Sequence, residues 1–308
     1  MLRVFITFLF TSAFVSMLSA KVSVVTTTTD LEYIAKKIGK NRVKVKSLIR
    51  GFDDPHFVMA RPDFIINMSK ADVFVMIGLD LEVGWAPLLL EKSRNMKIQK
   101  GQPGYCDASV GIKILGQPTI NVDRSMGDMH IYGNPHYWND PINAIQMANN
   151  IRNALMRVDP THSEEYNNNY KQFRKDIIRV TKQELRKFKP YFGARVAVFH
   201  DQFVYLSTRF KFKANLTIEE RPGVPPSNRY MEQTINYMKS NNIKVILVGI
   251  YQNLKYAKYV SSKVPGSKVL VMPVSVGGTK QATTYEKTLQ IMLTKIRKAL
   301  KETGYKRR

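Results

Sequence analysis

The feature that most constrains this chain is a repeated alternation of short apolar runs with longer amphipathic stretches, met on both sides of one uninterrupted polar segment. Short apolar runs read as buried strands, and stretches with apolar residues every three or four positions read as helices laid over them. In the first half the pattern predicts strands over 22–25, 43–48 and 73–77 and helices over 31–38, 62–69 and 142–158. In the second half it predicts strands over 195–199, 245–249 and 269–272 and helices over 229–240 and 284–300. Strand–helix alternation of this kind implies, in each half, a mainly parallel sheet covered by helices.

The polar segment between the halves, 161–189, carries Tyr166, Tyr170, Phe173, Ile177, Val180 and Leu185 at spacings of three to five. These fall on one face of a helix of about 28 residues, or about 42 Å at 1.5 Å per residue. Pro190 ends it. The expected fold class is therefore α/β with two lobes joined by one long linking helix: a first lobe over 21–160, the linker over 161–190 and a second lobe over 191–308. A cleft between the lobes is then the natural ligand site. A helix packed wholly on one lobe is the alternative. The chain has no repeat of fixed period and no His-rich tract.

Residues 1–20 combine Arg3, an apolar run over 4–18 and the small-residue end Ser19-Ala20, the pattern of a cleaved secretory signal. The run is shorter than the roughly 20 residues that a spanning helix needs. Cys106 is the sole cysteine, so no intramolecular disulfide forms and no cysteine follows the signal to accept a lipid. A freely soluble periplasmic protein is expected. Lys+Arg 48 against Asp+Glu 24 gives a net charge of +24, but the basic residues are spread along the chain and an exported protein rarely meets nucleic acid. So positive a surface does not attract a cation, and any cation site must work through short-range ligands.

Histidines stand at 56, 130, 136, 162 and 200. His56 follows Asp53-Asp54-Pro55 in a loop that Pro55 and Pro62 constrain; alone it reads more readily as a solvated surface residue than as a ligand. His136 sits in Gly133-Asn134-Pro135-His136-Tyr137-Trp138-Asn139-Asp140-Pro141, a constrained turn in which Trp138 can pack beneath the imidazole and Asp140 can cap the next helix; alone it suits a preorganised ligand or a turn histidine satisfied by capping hydrogen bonds. His200 ends a predicted strand, at the sheet edge where α/β proteins bind ligands, and by itself suits a metal ligand or a general base beside Asp201.

Together these segments resemble the metal-binding solute-binding proteins of bacterial zinc and manganese ABC importers, over essentially the whole mature chain. The resemblance rests on Asp54-Pro55-His56 ahead of Arg61-Pro62-Asp63, on Asn134 to Pro141, and on His200-Asp201-Gln202-Phe203-Val204-Tyr205. The stretch from Thr217 to Ser227 also looks like one branch of that family. The resemblance implies two lobes with a metal buried between them and His56, His136 and His200 as its ligands. It further implies a fourth ligand, an Asp after the last strand of the second lobe. Here that region reads Val271-Met272-Pro273-Val274-Ser275-Val276-Gly277-Gly278, without a carboxylate. His130, Asp54, Glu219 or water are the candidates for the fourth position, and His162 is expected on the surface.

Three neutral imidazoles with a fourth oxygen or nitrogen suit zinc, whereas manganese favours a carboxylate-rich shell. The expected function is thus capture of a divalent ion, zinc before manganese or another transition metal, and its delivery to the membrane permease of an ABC importer by a monomer that is not an enzyme. Two rivals come from other classes. One is an exported zinc hydrolase, against which stands the absence of a His-Glu-x-x-His helix; the other is an adhesin with the same fold.

Overall fold

A computed structural model of the chain describes residues 21–118 and 130–307. The expected signal at 1–20 and the Gly127-Asp128-Met129 segment before His130 lie outside the described residues.

The first sheet contains β1 (Val22–Thr26), β2 (Val43–Ser47), β3 (Val73–Met76) and β4 (Tyr105–Asp107), all parallel, in the order β2-β1-β3-β4. The second contains β5 (Arg195–Val198), β6 (Lys213–Thr217), β7 (Val245–Gly249) and β8 (Lys268–Met272), again parallel, in the order β6-β5-β7-β8. Both lobes therefore share one topology. In each, the chain winds outward in opposite directions from the gap between its first and third strands, and the crevice beyond the carboxyl ends there is where such sheets bind ligands.

The sequences explain the strand positions. Every residue of β7, Val-Ile-Leu-Val-Gly, is buried, as expected of a central strand covered on both faces. At the edge, β2 exposes Lys44 and Lys46 and buries Val43. Charged side chains there discourage pairing with another chain.

Nine helices cover the sheets among the described residues: α1 (Thr29–Gly39), α2 (Pro62–Ser69), α3 (Ala86–Ser93), α4 (Pro141–Val158), α5 (Ser163–Phe188), α6 (Val204–Phe210), α7 (Asn228–Ser240), α8 (Leu254–Lys263) and α9 (Tyr285–Glu302). No helix among the described residues is long and apolar enough to cross a membrane.

The expected linking helix is α5, whose 26 residues span about 39 Å; Pro160–His162 form a separate 3₁₀ turn ahead of it. Its stripe divides between two cores. Tyr166, Phe173 and Ile177 pack into the first lobe, whereas Phe188 belongs to the core of the second, with Val180 and Leu185 against it. Buried Glu184 accepts hydrogen bonds from Lys187 Nζ at 2.7 Å and Arg297 Nη1 at 2.6 Å, which fastens α5 to α9. A helix confined to one lobe is therefore not what the chain forms.

The 273–278 stretch after β8 straps the lobes together through its backbone. Trp138 Nε1 donates to Val274 O at 3.0 Å, Thr29 Oγ1 to Val276 O at 2.6 Å, and Val276 N to Asp30 Oδ1 at 3.2 Å. Arg209 adds a bidentate pair to Asp140 at 2.8 and 2.9 Å. The stretch where a carboxylate ligand was implied thus serves as an inter-lobe clamp.

Candidate metal centre

Each of the three expected histidines stands beyond the carboxyl end of a strand. His56 lies in the loop from β2 to α2, His136 between β4 and α4, and His200 directly after β5.

The first two are held by the same local device. Asp54 Oδ1 accepts from the backbone N–H of His56 at 3.0 Å and lies 2.7 Å from its Nδ1. Asn134 Oδ1 accepts from the backbone N–H of His136 at 3.0 Å and lies 3.0 Å from its Nδ1. In both segments an Asx side chain reaches across an intervening proline to bond residue i+2, as Asx turns do, and the same oxygen fixes the imidazole. The loop of His56 is anchored where Trp85 Nε1 donates to Pro55 O at 2.9 Å. Around His136, Tyr137 donates to Ile77 O at 2.6 Å, the Trp138 ring centre lies 5.2 Å from the imidazole centre, and Asp140 caps α4 by accepting from Ile142 N at 2.9 Å.

His200 is oriented from farther along the chain. Glu219 Oε2 lies 2.8 Å from its Nδ1, while Asp201 Oδ1 stands 3.6 Å from Nε2, beyond hydrogen-bond reach. The dyad available to His200 is therefore with Glu219 and not with its neighbour Asp201.

With Nδ1 of all three engaged, the other ring nitrogen is left over. One ring nitrogen of each of His56, His136 and His200 lies within 4.8 Å of those of the other two. The Nε2 atoms of all three are buried without a hydrogen-bond partner, an arrangement that costs free energy unless something fills it. A metal ion satisfies all three at once, and carboxylate or amide oxygens on Nδ1 are the supports that ligating imidazoles use.

Electrostatics set the protonation of the cluster. Burial, followed by the neighbouring His200, His56 and His130, holds the His136 imidazole well below the ordinary histidine range. Burial and the facing His56 and His200 bring His130 down to about 3. Burial also presses His200 downward, but the Glu219 hydrogen bond and the charges of Asp201, Glu219 and Asp54 outweigh it and hold His200 above its ordinary value.

Of the fourth-ligand candidates, Asp54 and Glu219 each spend an oxygen on an Nδ1, while His130 stands beside the cluster with its Nε2 buried and unpartnered. His162 is half-buried, not fully exposed, and its Nδ1 lies 2.8 Å from both Asp159 oxygens. A cleft of about 300 Å³ opens beside the cluster, with His130, His200, Asn134 and Glu219 in its walls. The orienting role of Asn134 was not read from the sequence, although its signal, an Asx-Pro-His triplet, is present twice.

The sequence profile of a family described as zinc-uptake complex component A, periplasmic, matches residues 24–299. The high-affinity zinc uptake system protein ZnuA of Bacillus subtilis is 26% identical over 264 residues, covering 85% of this chain and 81% of that protein. The iron-binding protein YfeA of Yersinia pestis is 26% identical over 79% of this chain and 74% of its own length. Among solved structures, a manganese-bound serine-to-alanine mutant of a periplasmic metal-binding protein from Candidatus Liberibacter asiaticus superposes with a TM-score of 0.74 at 26% identity, covering 91% of this chain and all of that one. A crystal structure of ZnuA has a TM-score of 0.76 at 22% identity, covering 90% and 98% of the two chains, a likeness of fold.

Proposed function

The chain belongs to the periplasmic zinc-uptake component A family, and from that membership we propose that it captures one divalent metal ion, zinc first, on His56, His136 and His200 and delivers it to the membrane permease of an ABC importer. The observation that carries the reading is the convergence of three buried, unpartnered Nε2 atoms whose Nδ1 atoms are already occupied. Proteins similar to this one are named for zinc and for iron, and the donor set chooses among such cargoes. Imidazole nitrogens suit zinc, while manganese favours carboxylate oxygen.

The wider proposal divides the chain into a signal over 1–20 removed on export, a first lobe over 21–160, a linking helix over 161–190 and a second lobe over 191–308. The mature protein works as a periplasmic monomer, with no nucleic acid partner and no chemical turnover. Asp54 and Glu219 orient imidazoles, so neither of these two stands free as the base that a zinc hydrolase needs to activate water. Amino-terminal sequencing of the exported protein tests removal of the signal.

A zinc competition titration of the mature chain tests the central reading. One ion binds per chain, and His136→Ala loses most of the affinity; unchanged affinity in that variant contradicts the assignment.

A further inference from the structure

We infer that His130 is the fourth ligand, so that the captured ion sits in an all-imidazole shell that selects zinc over manganese; this rests on the three-histidine reading above. Four Nε2 atoms, those of His56, His130, His136 and His200, are buried without partners. His130 stands against the other rings, its centre 5.4 Å from that of His56 and 6.3 Å from that of His136. Among the other three rings the separations are 5.1 Å for His56–His136, 5.6 Å for His56–His200 and 5.0 Å for His136–His200.

These distances can be compared with a zinc shell. In a tetrahedral site with zinc–nitrogen bonds of about 2.0–2.1 Å, and each ring centre roughly 1.1 Å behind its bonded nitrogen, ring centres lie roughly 5.2 Å apart. Pairs among the other three histidines already meet this value within a few tenths of an ångström. His130 meets it toward His56 and stands roughly 1 Å beyond it toward His136; Gly133 N donates to His130 O at 3.1 Å, and the side chain of His130 lines the cleft.

Of the competing donors, half-exposed Asp201 is the nearest uncommitted carboxylate, its Oδ1 3.6 Å from Nε2 of His200, and the X-ray absorption measurement below separates its oxygen from an imidazole. The others are committed elsewhere. Asp54 and Glu219 each hold an Nδ1, and the 273–278 stretch, with no acidic residue, binds the opposite lobe through backbone groups. An imidazole in the fourth position gives a neutral, nitrogen-only shell. That shell favours zinc and disfavours manganese, a harder ion that prefers oxygen.

X-ray absorption at the zinc edge of the zinc-loaded mature chain counts the imidazoles directly, and zinc and manganese competition titrations of His130→Ala, His130→Asp and His136→Ala accompany it. The expected results are four imidazoles in the unaltered chain and three in His130→Ala, with zinc affinity in that variant lowered by on the order of 10- to 100-fold, the least that loss of a ligand costs given what loss of a supporting residue costs. His130→Asp narrows the preference for zinc over manganese. Three imidazoles plus oxygen in the unaltered chain, or unchanged zinc affinity in His130→Ala while His136→Ala loses zinc, overturns this inference and leaves the three-histidine site standing. Unchanged affinity in His136→Ala overturns that site itself.

Discussion

Glu219 Oε2 lies 2.8 Å from Nδ1 of His200, nineteen residues along the chain, and this contact joins the orientation of one imidazole to its charge. A carboxylate on Nδ1 holds the proton there and turns Nε2 toward His56 and His136. The same carboxylate helps keep His200 above its ordinary value against the opposing effect of burial.

A pH dependence follows, with a definite sign. Zinc binds the neutral imidazole, so protons compete, and affinity declines as pH falls through the raised value of His200. His136 and His130 are held low and add nothing to that first step. In Glu219→Gln the charge is lost, the His200 value drops, and the decline moves to lower pH, while affinity at neutral pH weakens by on the order of 10- to 100-fold. Zinc titrations across pH check both; a decline at an unmoved pH in the variant contradicts the role given to Glu219.

Gly133→Ala should destabilise the chain and loosen the site. Gly133 has φ +103°, and an added Cβ would come within 2.5 Å of Ile114 Cγ2 and 3.0 Å of Leu115 O. Strain of this kind costs about 1–3 kcal/mol and falls on the turn that leads into Asn134 and His136. Thermal unfolding with and without zinc measures it; a variant as stable as the parent, with unchanged zinc affinity, contradicts the argument.

Trp138→Phe should separate stability from ligation. The indole N–H is the donor to Val274 O, and losing a buried hydrogen bond costs about 1–3 kcal/mol. Because Trp138 supports His136 without ligating the ion, the variant should still bind one zinc. Denaturant unfolding and a zinc stoichiometry together decide it.

Much of this was legible in the sequence because the informative segments are short and local. Pro55 and Pro62 around His56, and Gly133 and Pro135 before His136, pointed to constrained loops, and the strongly patterned β7 and α2 fall on the predicted bounds. What escaped was weakly patterned or non-local. β6 reads Lys-Ala-Asn-Leu-Thr at a sheet edge, β4 has only three residues, and α8 buries only Ala257 and Val260 along a polar helix. The grip of Glu219 on His200, and the clamp of Val274 and Val276 on the first lobe, exist only once the chain has folded.

The lobes should move little on binding. α5 enters both cores, and hydrogen bonds from Thr29, Trp138 and Arg209 cross the interface. Small-angle scattering should give the same radius of gyration with and without zinc, and a clear contraction on adding zinc contradicts a rigid spine.

The most direct test of the account is anomalous diffraction at the zinc edge from crystals of the zinc-loaded mature chain. One peak should lie between the lobes, about 2.0–2.1 Å from Nε2 of His56, His136 and His200. A peak bound elsewhere on the chain, or a cluster that stays empty in saturating zinc, contradicts it.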